Sequence, residues 1–177
     1  MKIAIFNGGP RKNGRTASVT ASFKKFTETR NAVTEEHFLY FMDIKGCLTC
    51  GTKTGIESAR AMAKEFSECD LAVLASPIYM FHITDSLKAF MEILCAVCKD
   101  DDDVAEKVKG KKVAAIFTTD VDENVATDAI RAARMLCDHV HAEFIGELVI
   151  PFADMEKING KECQTEIEQF TDEVMKK

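Results

Sequence analysis

Between Phe6 and Ser18 the chain concentrates the residue types that hold a phosphate group: Asn7-Gly8-Gly9-Pro10-Arg11-Lys12-Asn13-Gly14-Arg15-Thr16. A phosphate monoester asks for several converging N–H donors, and the first turn of a helix leaves four of them without an intrahelical partner. The helix dipole adds positive potential at the same end. Glycines let the backbone come close, while Asn13, Thr16 and Ser18 offer side-chain donors. Three cations within five residues, Arg11, Lys12 and Arg15, offset the phosphate charge. The alternative is a flexible loop capped by Thr16 that holds no ligand. The spacing matches neither G-x-G-x-x-G nor G-x-x-x-x-G-K-[ST], which disfavours a dinucleotide Rossmann site and a P-loop NTPase.

Such a loop works only if a strand delivers it and a helix receives it. Residues 2–7 read as a buried strand, and residues 16–29 follow with Val19, Phe23 and Phe26 at helical spacing. A second strand is expected near residues 36–41. A second helix is expected over 55–67, with Ile56, Ala59, Ala63 and Phe66 on one face. Residues 71–75 are apolar throughout and read as a strand covered on both faces. A third helix over 85–98 carries Leu87, Phe90, Met91 and Leu94. Residues 112–118 and 143–150 read as strands four and five. A helix with Ala129, Ala133, Leu136 and Val140 separates them, and another with Cys163, Ile167, Phe170 and Val174 ends the chain. Residues 99–103, which include four consecutive aspartates, read as a solvated loop.

Strands alternating with helices imply right-handed crossovers and a parallel sheet with helices on both sides. No linker or repeat interrupts the pattern, so residues 1–177 are expected to form one domain. In a doubly wound sheet, ligands bind outside the carboxyl ends of the strands where the strand order reverses. Functional residues are therefore expected just after strands one, three and four.

Two segments at those places resemble the NADPH-dependent FMN reductases and the related iron–sulfur flavoproteins. The family's first loop typically reads G-S-P-R-x-x-G-N-T, against Gly8-Gly9-Pro10-Arg11-Lys12-Asn13-Gly14-Arg15-Thr16 here. Ser76-Pro77-Ile78-Tyr79-Met80-Phe81, followed by Leu87-Lys88-Ala89-Phe90, is similar to the family's S-P-x-Y loop and the helix after it. The resemblance runs over about residues 1–150. It implies a flavodoxin-like three-layer α/β sandwich, with a five-stranded parallel sheet in the order 2-1-3-4-5. It also implies FMN as cofactor and NAD(P)H as co-substrate.

Carried over by position, the resemblance puts Arg11, Asn13, Arg15, Thr16 and Ser18 around the FMN phosphate, in a loop shaped by Gly9 and Pro10. Pro77, Ile78, Tyr79, Met80 and Phe81 would run along the isoalloxazine ring, which favours apolar and aromatic surface. Thr118, Thr119 and Asp120 would form a third wall. Three positions depart from the family's pattern. Gly9 stands where serine is usual, Arg15 where asparagine is usual, and Asp120 where glycine is common. With Asp122 and Glu123, Asp120 places negative charge beside the ring site, which opposes an anionic reduced flavin.

Seven cysteines are scattered through periodic segments, as expected of reduced thiols in a cytoplasm rather than a disulfide framework. Cys47-Leu48-Thr49-Cys50 falls where the iron–sulfur branch carries C-x₂-C-x₂-C, but Lys53 takes the third position. Cys95 and Cys98 form a second C-x-x-C inside the third helix. Zinc held by both pairs and a dithiol role for Cys47 and Cys50 are open alternatives to plain small residues. Cys69, Cys137 and Cys163 fit core positions. His82 follows the aromatic loop, where packing or surface exposure is expected ahead of a contact with substrate or the flavin edge, and His139 and His141 show no metal spacing supported by a third ligand.

The composition is 46% hydrophobic and 29% charged, with a formal net charge of −6. No basic patch suits nucleic acid. No apolar run suits a membrane helix, and the start lacks a signal-peptide pattern. The functional expectation is an FMN-dependent NAD(P)H oxidoreductase, cytoplasmic and homodimeric. It would pass electrons to a quinone, a flavin, another small molecule or a redox protein. The alternatives are a non-catalytic FMN electron carrier and a flavodoxin-like interaction domain without flavin.

Overall fold

β1 (Lys2–Asn7) is apolar on both faces because both faces are covered. Ile3, Ala4, Ile5 and Phe6 expose no surface at all. In the computed structural model, which describes residues 1–44, 53–151 and 155–177, β1 lies between β2 (Val33–Phe38) and β3 (Leu71–Pro77). β4 (Lys112–Thr118) and β5 (Glu143–Ile150) extend the sheet. Every pairing is parallel, and the order is β2-β1-β3-β4-β5. This is the flavodoxin-like order, with its switch point between β1 and β3.

The pleat sends alternate side chains to opposite layers. Ile3 and Ile5, with Leu71 and Val73 of β3, face α1 (Arg15–Thr29) and the closing helix Lys161–Lys176, where they meet Val19, Phe23, Ile167 and Phe170. Ala4 and Phe6, with Leu74 and Phe117, face the other layer. That layer contains α2 (Lys53–Glu68), α3 (Asp85–Asp100), α4 (Asp102–Val108) and α5 (Thr127–Val140). A short helix α6 (Met155–Asn159) precedes the closing helix, which is α7. Cys69, Cys137 and Cys163 are buried, as their patterns imply.

Two local expectations are corrected. The second strand spans Val33–Phe38, not 36–41, and Leu39–Phe41 is a single 3₁₀ turn. β2 is an edge strand whose four central residues, Thr34, Glu35, Glu36 and His37, are all polar, so the apolar run after it is a misleading marker of its position. The acidic stretch is no loop. α3 runs through Asp100, and the Asp101 carboxylate accepts the N–H groups of Asp103 and Val104 to cap α4. Aspartate is among the best residues for that capping position.

Phe6 anchors the α2–α3 layer. Its ring stacks on Phe90 at 4.6 Å and on His37 at 5.5 Å, with Phe66 tilted beside it at 5.6 Å. His37 Nε2 is buried and finds no hydrogen-bond partner among the described residues. Burial pushes the imidazole below its ordinary pKa of 6.5, with Lys2 adding to the effect. Glu65, Glu35 and Glu36 pull the other way. As pH falls below about 6.5, the unfolded chain therefore takes up a proton at this site before the folded chain does, and stability declines. His37→Gln should flatten part of the fall in urea midpoint between about pH 7.5 and pH 5.5. Equal slopes for the two proteins would remove His37 from the account.

Candidate functional site

The chain leaves β1 through a loop fixed by backbone and amide bonds. The Gly8 N–H donates to the Ala75 carbonyl at 2.8 Å, and the Gly9 N–H donates to Asn7 Oδ1 at 2.7 Å. Gly8 passes so close to α3 that a Cβ there would lie 2.8 Å from Leu87 Cβ and against Thr84 Oγ1. At Gly9 a Cβ would lie 2.9 Å from Asn7 Oδ1, a physical reason for glycine where a serine is usual. The Gly14 N–H donates to the Arg11 carbonyl at 3.1 Å and closes the turn into α1.

Gly14, not Thr16, occupies the position that opens α1, and no side chain caps it. The first-turn N–H groups of α1 thus remain on offer at the positive end of the helix dipole. The Thr16 hydroxyl is paired instead with Thr118 Oγ1 at 2.8 Å, tying α1 to the end of β4.

A cavity of about 550 Å³ opens above this seam. Gly9, Pro10, Arg11, Asn13, Arg15 and Thr16 contribute to it from the first loop. Pro77, Ile78 and Tyr79 come from the end of β3, and Thr118, Thr119 and Asp120 from the end of β4. Twelve of the fifteen residues singled out in the sequence are thus brought together, out of three separate stretches of chain. Asp120 does not stand alone: its carboxylate pairs with the Arg15 guanidinium. Asp122 is occupied as a local cap, accepting the Asn124 N–H at 2.9 Å.

Ser18, Met80 and Phe81 are not in this wall. The Ser18 hydroxyl donates to the Gly14 carbonyl at 3.1 Å and lies 3.5 Å from Met155 Sδ, on the flank of α1. Met80 and Phe81 are the central residues of a tight turn in which Tyr79 and His82 exchange backbone bonds of 2.9 and 3.1 Å. Both have positive φ, 48° and 68°, a conformation that costs roughly 1 kcal/mol or more at each non-glycine residue. Their side chains point outward, Met80 at 88% and Phe81 at 61% exposure. Met155, after β5, also lines the cavity. Its only sequence signal is its place after another strand end.

By sequence, no curated protein matches the chain. The pattern of the family described as NADPH-dependent FMN reductase matches residues 1–154. The chain belongs to that family. It is an NAD(P)H-dependent oxidoreductase of the FMN reductase type, with FMN as cofactor and NAD(P)H as co-substrate. Solved structures agree at the level of fold. An apo NADH:FMN oxidoreductase has a TM-score of 0.74 at 16% identity, covering 98% of this chain and 87% of its own. An NAD(P)H:quinone oxidoreductase from Methanothermobacter marburgensis has a TM-score of 0.70 at 11% identity, covering 97% and 93%. An FMN-dependent NADH-azoreductase from Bacillus anthracis, in complex with FMN, has a TM-score of 0.69 at 14% identity, covering 97% of each chain.

The residues present suit the cofactor of this FMN reductase family. The cavity is within the usual range of small-molecule sites, about 300–1,000 Å³. It joins an uncapped helix start and two arginines at one end to Pro77, Ile78 and Tyr79 at the other.

Cys95 and Cys98 are half-buried free thiols inside α3. Burial pushes the thiols of Cys95 and Cys98 up, the latter to about 11, so both stay protonated at neutral pH. Cys47 and Cys50 lie outside the described residues. Glu35, His37 and Glu65 come close enough to share a metal ion, but Lys2 Nζ already donates to Glu65 at 3.0 Å.

The close approach of the first loop to α3 makes Gly8 a sensitive position. Gly8→Ala should cost about 1–3 kcal/mol of stability, the usual range for overpacking, read as a lowered denaturation midpoint. An unchanged midpoint would show that Thr84 and Leu87 yield freely.

Proposed function

We propose that this FMN reductase passes electrons from a nicotinamide to a quinone, a free flavin or another small-molecule acceptor. The observation that carries this reading is the single cavity in which a phosphate-type loop and an apolar wall share one floor, the Thr16–Thr118 hydroxyl pair. When bound, FMN supplies the hydride-accepting centre and the onward transfer of electrons. The protein binds, orients and excludes water. The Arg11, Asn13 and Arg15 side chains and the open amides of α1 hold the phosphate, with Gly9, Pro10 and Thr16 shaping the loop. Pro77, Ile78 and Tyr79 lie along one side of the ring, and Thr118, Thr119 and Asp120 along another. Met80 and Phe81 touch the ring's outer edge or the incoming nicotinamide, and Ser18 supports the first turn of α1 through Gly14.

The chain acts as a homodimer in the cytoplasm. Tyr40 and Phe41 after β2, and Tyr79, Met80 and Phe81 after β3, are all more than half exposed on the edge of the sheet that carries the cavity. A second subunit laid over that edge would cover them. Among the described residues no helix is long and apolar enough to cross a membrane.

Purified protein should be yellow, or should quench the fluorescence of added FMN. A colourless protein that neither quenches FMN nor gains thermal stability from it would end this reading. Replacing Arg11 and Arg15 together with alanine should weaken FMN binding more than about tenfold, since each charge-assisted bond is worth about 1.5–3 kcal/mol. Unchanged affinity would place the phosphate elsewhere. Under anaerobic conditions NADPH or NADH should bleach the holoprotein within minutes; a spectrum that stays oxidised would favour an electron carrier over a reductase.

A further inference from the structure

Glu36 lies outside the cavity and belongs to none of the segments described above as its walls. We propose that it is a positioning residue for the phosphate loop, fixing through Asn7 the course of the backbone at Gly9. The inference rests on the FMN reading of the cavity.

Asn7 is the last residue of β1 and exposes no surface. Its Oδ1 accepts the Gly9 N–H at 2.7 Å, and its Nδ2 donates to Glu36 Oε1 at 2.8 Å. The same carboxylate oxygen accepts from Thr20 Oγ1, also fully buried, at 2.6 Å. An ionised carboxylate only accepts hydrogen bonds, and a backbone N–H only donates. The Asn7 amide therefore has one permitted orientation: reversed, it would turn Nδ2 on the Gly9 N–H and Oδ1 on Glu36. Glu36 selects which end of the amide meets the loop, and that end holds Gly9 where Pro10 and Arg11 begin the cavity wall.

The carboxylate also reaches the receiving helix. Thr20 lies one turn beyond Thr16, whose hydroxyl meets Thr118 in the cavity floor. β1 and α1, the two elements that the loop joins, are thus held by one charged oxygen from a third element. Its placement follows from the sheet. Glu36 is opposite Ile5 in the β1–β2 register, and it points to the α1 layer with Thr34, which bonds Thr27 at 2.7 Å. The neighbours Glu35 and His37 point to the opposite layer.

Three variants test this: Glu36→Met, similar in size with no strong acceptor; Glu36→Asp, which retracts the carboxylate by one methylene; and Glu36→Gln, whose Oε1 can still receive Asn7. Each apoprotein is titrated with FMN and with riboflavin, which shares the ring and lacks the phosphate. In Glu36→Met, FMN affinity should fall about tenfold or more, while riboflavin affinity stays within about twofold. Glu36→Asp should show the same selective loss to a lesser degree, and Glu36→Gln should recover most of the FMN affinity. Equal losses of FMN and riboflavin would mean a general structural role and overturn the proposal, as would unchanged FMN affinity in Glu36→Met and Glu36→Asp.

A second measurement separates this proposal from the flavin reading. Hydrogen exchange of the Gly9 amide, followed by NMR in the apoproteins, should speed up about tenfold or more in Glu36→Met, because the acceptor Asn7 Oδ1 is no longer held in place. If wild-type protein binds neither FMN nor riboflavin, the flavin reading fails and the Gly9 amide alone decides. Faster exchange then supports the positioning role, and unchanged exchange overturns it.

Discussion

The constraint on which the cavity depends is the exit of the chain from the middle of its own sheet. β1 is bonded to a strand on each side, so it ends among groups that all demand partners. Seven residues separate Asn7 from the first residue of α1. Over that distance the backbone must satisfy Ala75, slip past Leu87 of α3 and Thr84 just before it, and turn into a helix whose first amides are left uncapped. The two glycines answer the first demands and Gly14 the last. A helix start left open at the carboxyl edge of a parallel sheet offers free amides and positive potential, the arrangement that favours an anion.

Charge around that opening is arranged locally, against the overall balance of the chain. The formal net charge is −6, yet Arg11, Lys12 and Arg15 crowd one loop. Lys12 is placed over the rings of Phe38 and Phe41, with its Nζ 5.8 and 5.1 Å from their centroids, which aims its charge along the β2 side of the loop. Arg15 meets Asp120. Both side chains are well exposed, and an exposed ion pair contributes little stability. The pair matters for what it does to the charge of Asp120, which no longer opposes an anionic ligand unscreened. The guanidinium has five donors, and one carboxylate does not exhaust them. Two positions that depart from the family's pattern thus meet in space, and each makes the other tolerable.

The layered architecture was legible because the central strands carry it. β1, β3, β4 and β5 are apolar enough to be recognised without knowledge of their neighbours, and β4 and β5 begin and end where the apolar runs do. β2 was not, since an edge strand contacting water and two helix layers has no apolar run of its own. The aspartates at 100–103 mislead for a similar reason. Composition says solvent, while one side chain, Asp101, makes the run into a helix boundary. In the cavity, the residues at the ends of β1, β3 and β4 were foreseeable from the strand-end rule and from the family resemblance. The outward course of Met80 and Phe81 was not, because a turn with two positive φ values has no marker in their residue types.

That turn marks a division of labour within the cavity. Beneath the exposed cations of the first loop lies a buried frame in which Asn7 bridges Gly9 and Glu36 and Thr16 meets Thr118. A change at any of them leaves a buried polar group unpaired, which limits how far this end can vary. The opposite lip is built from exposed side chains on a tight turn. Its anchors are the Ile78 N–H on the Thr118 carbonyl at 2.8 Å and the Thr84 N–H on Ser76 Oγ at 3.0 Å. With the turn held from below, Tyr79, Met80 and Phe81 are free of packing duties, and their replacement leaves no buried group without a partner. On the proposed reading, cofactor identity resides in the over-determined end and acceptor choice in the exposed lip. On the same reading the strained backbone at Met80 and Phe81 would serve the second task, since core packing alone gives no reason to hold two large apolar side chains outward at positive φ.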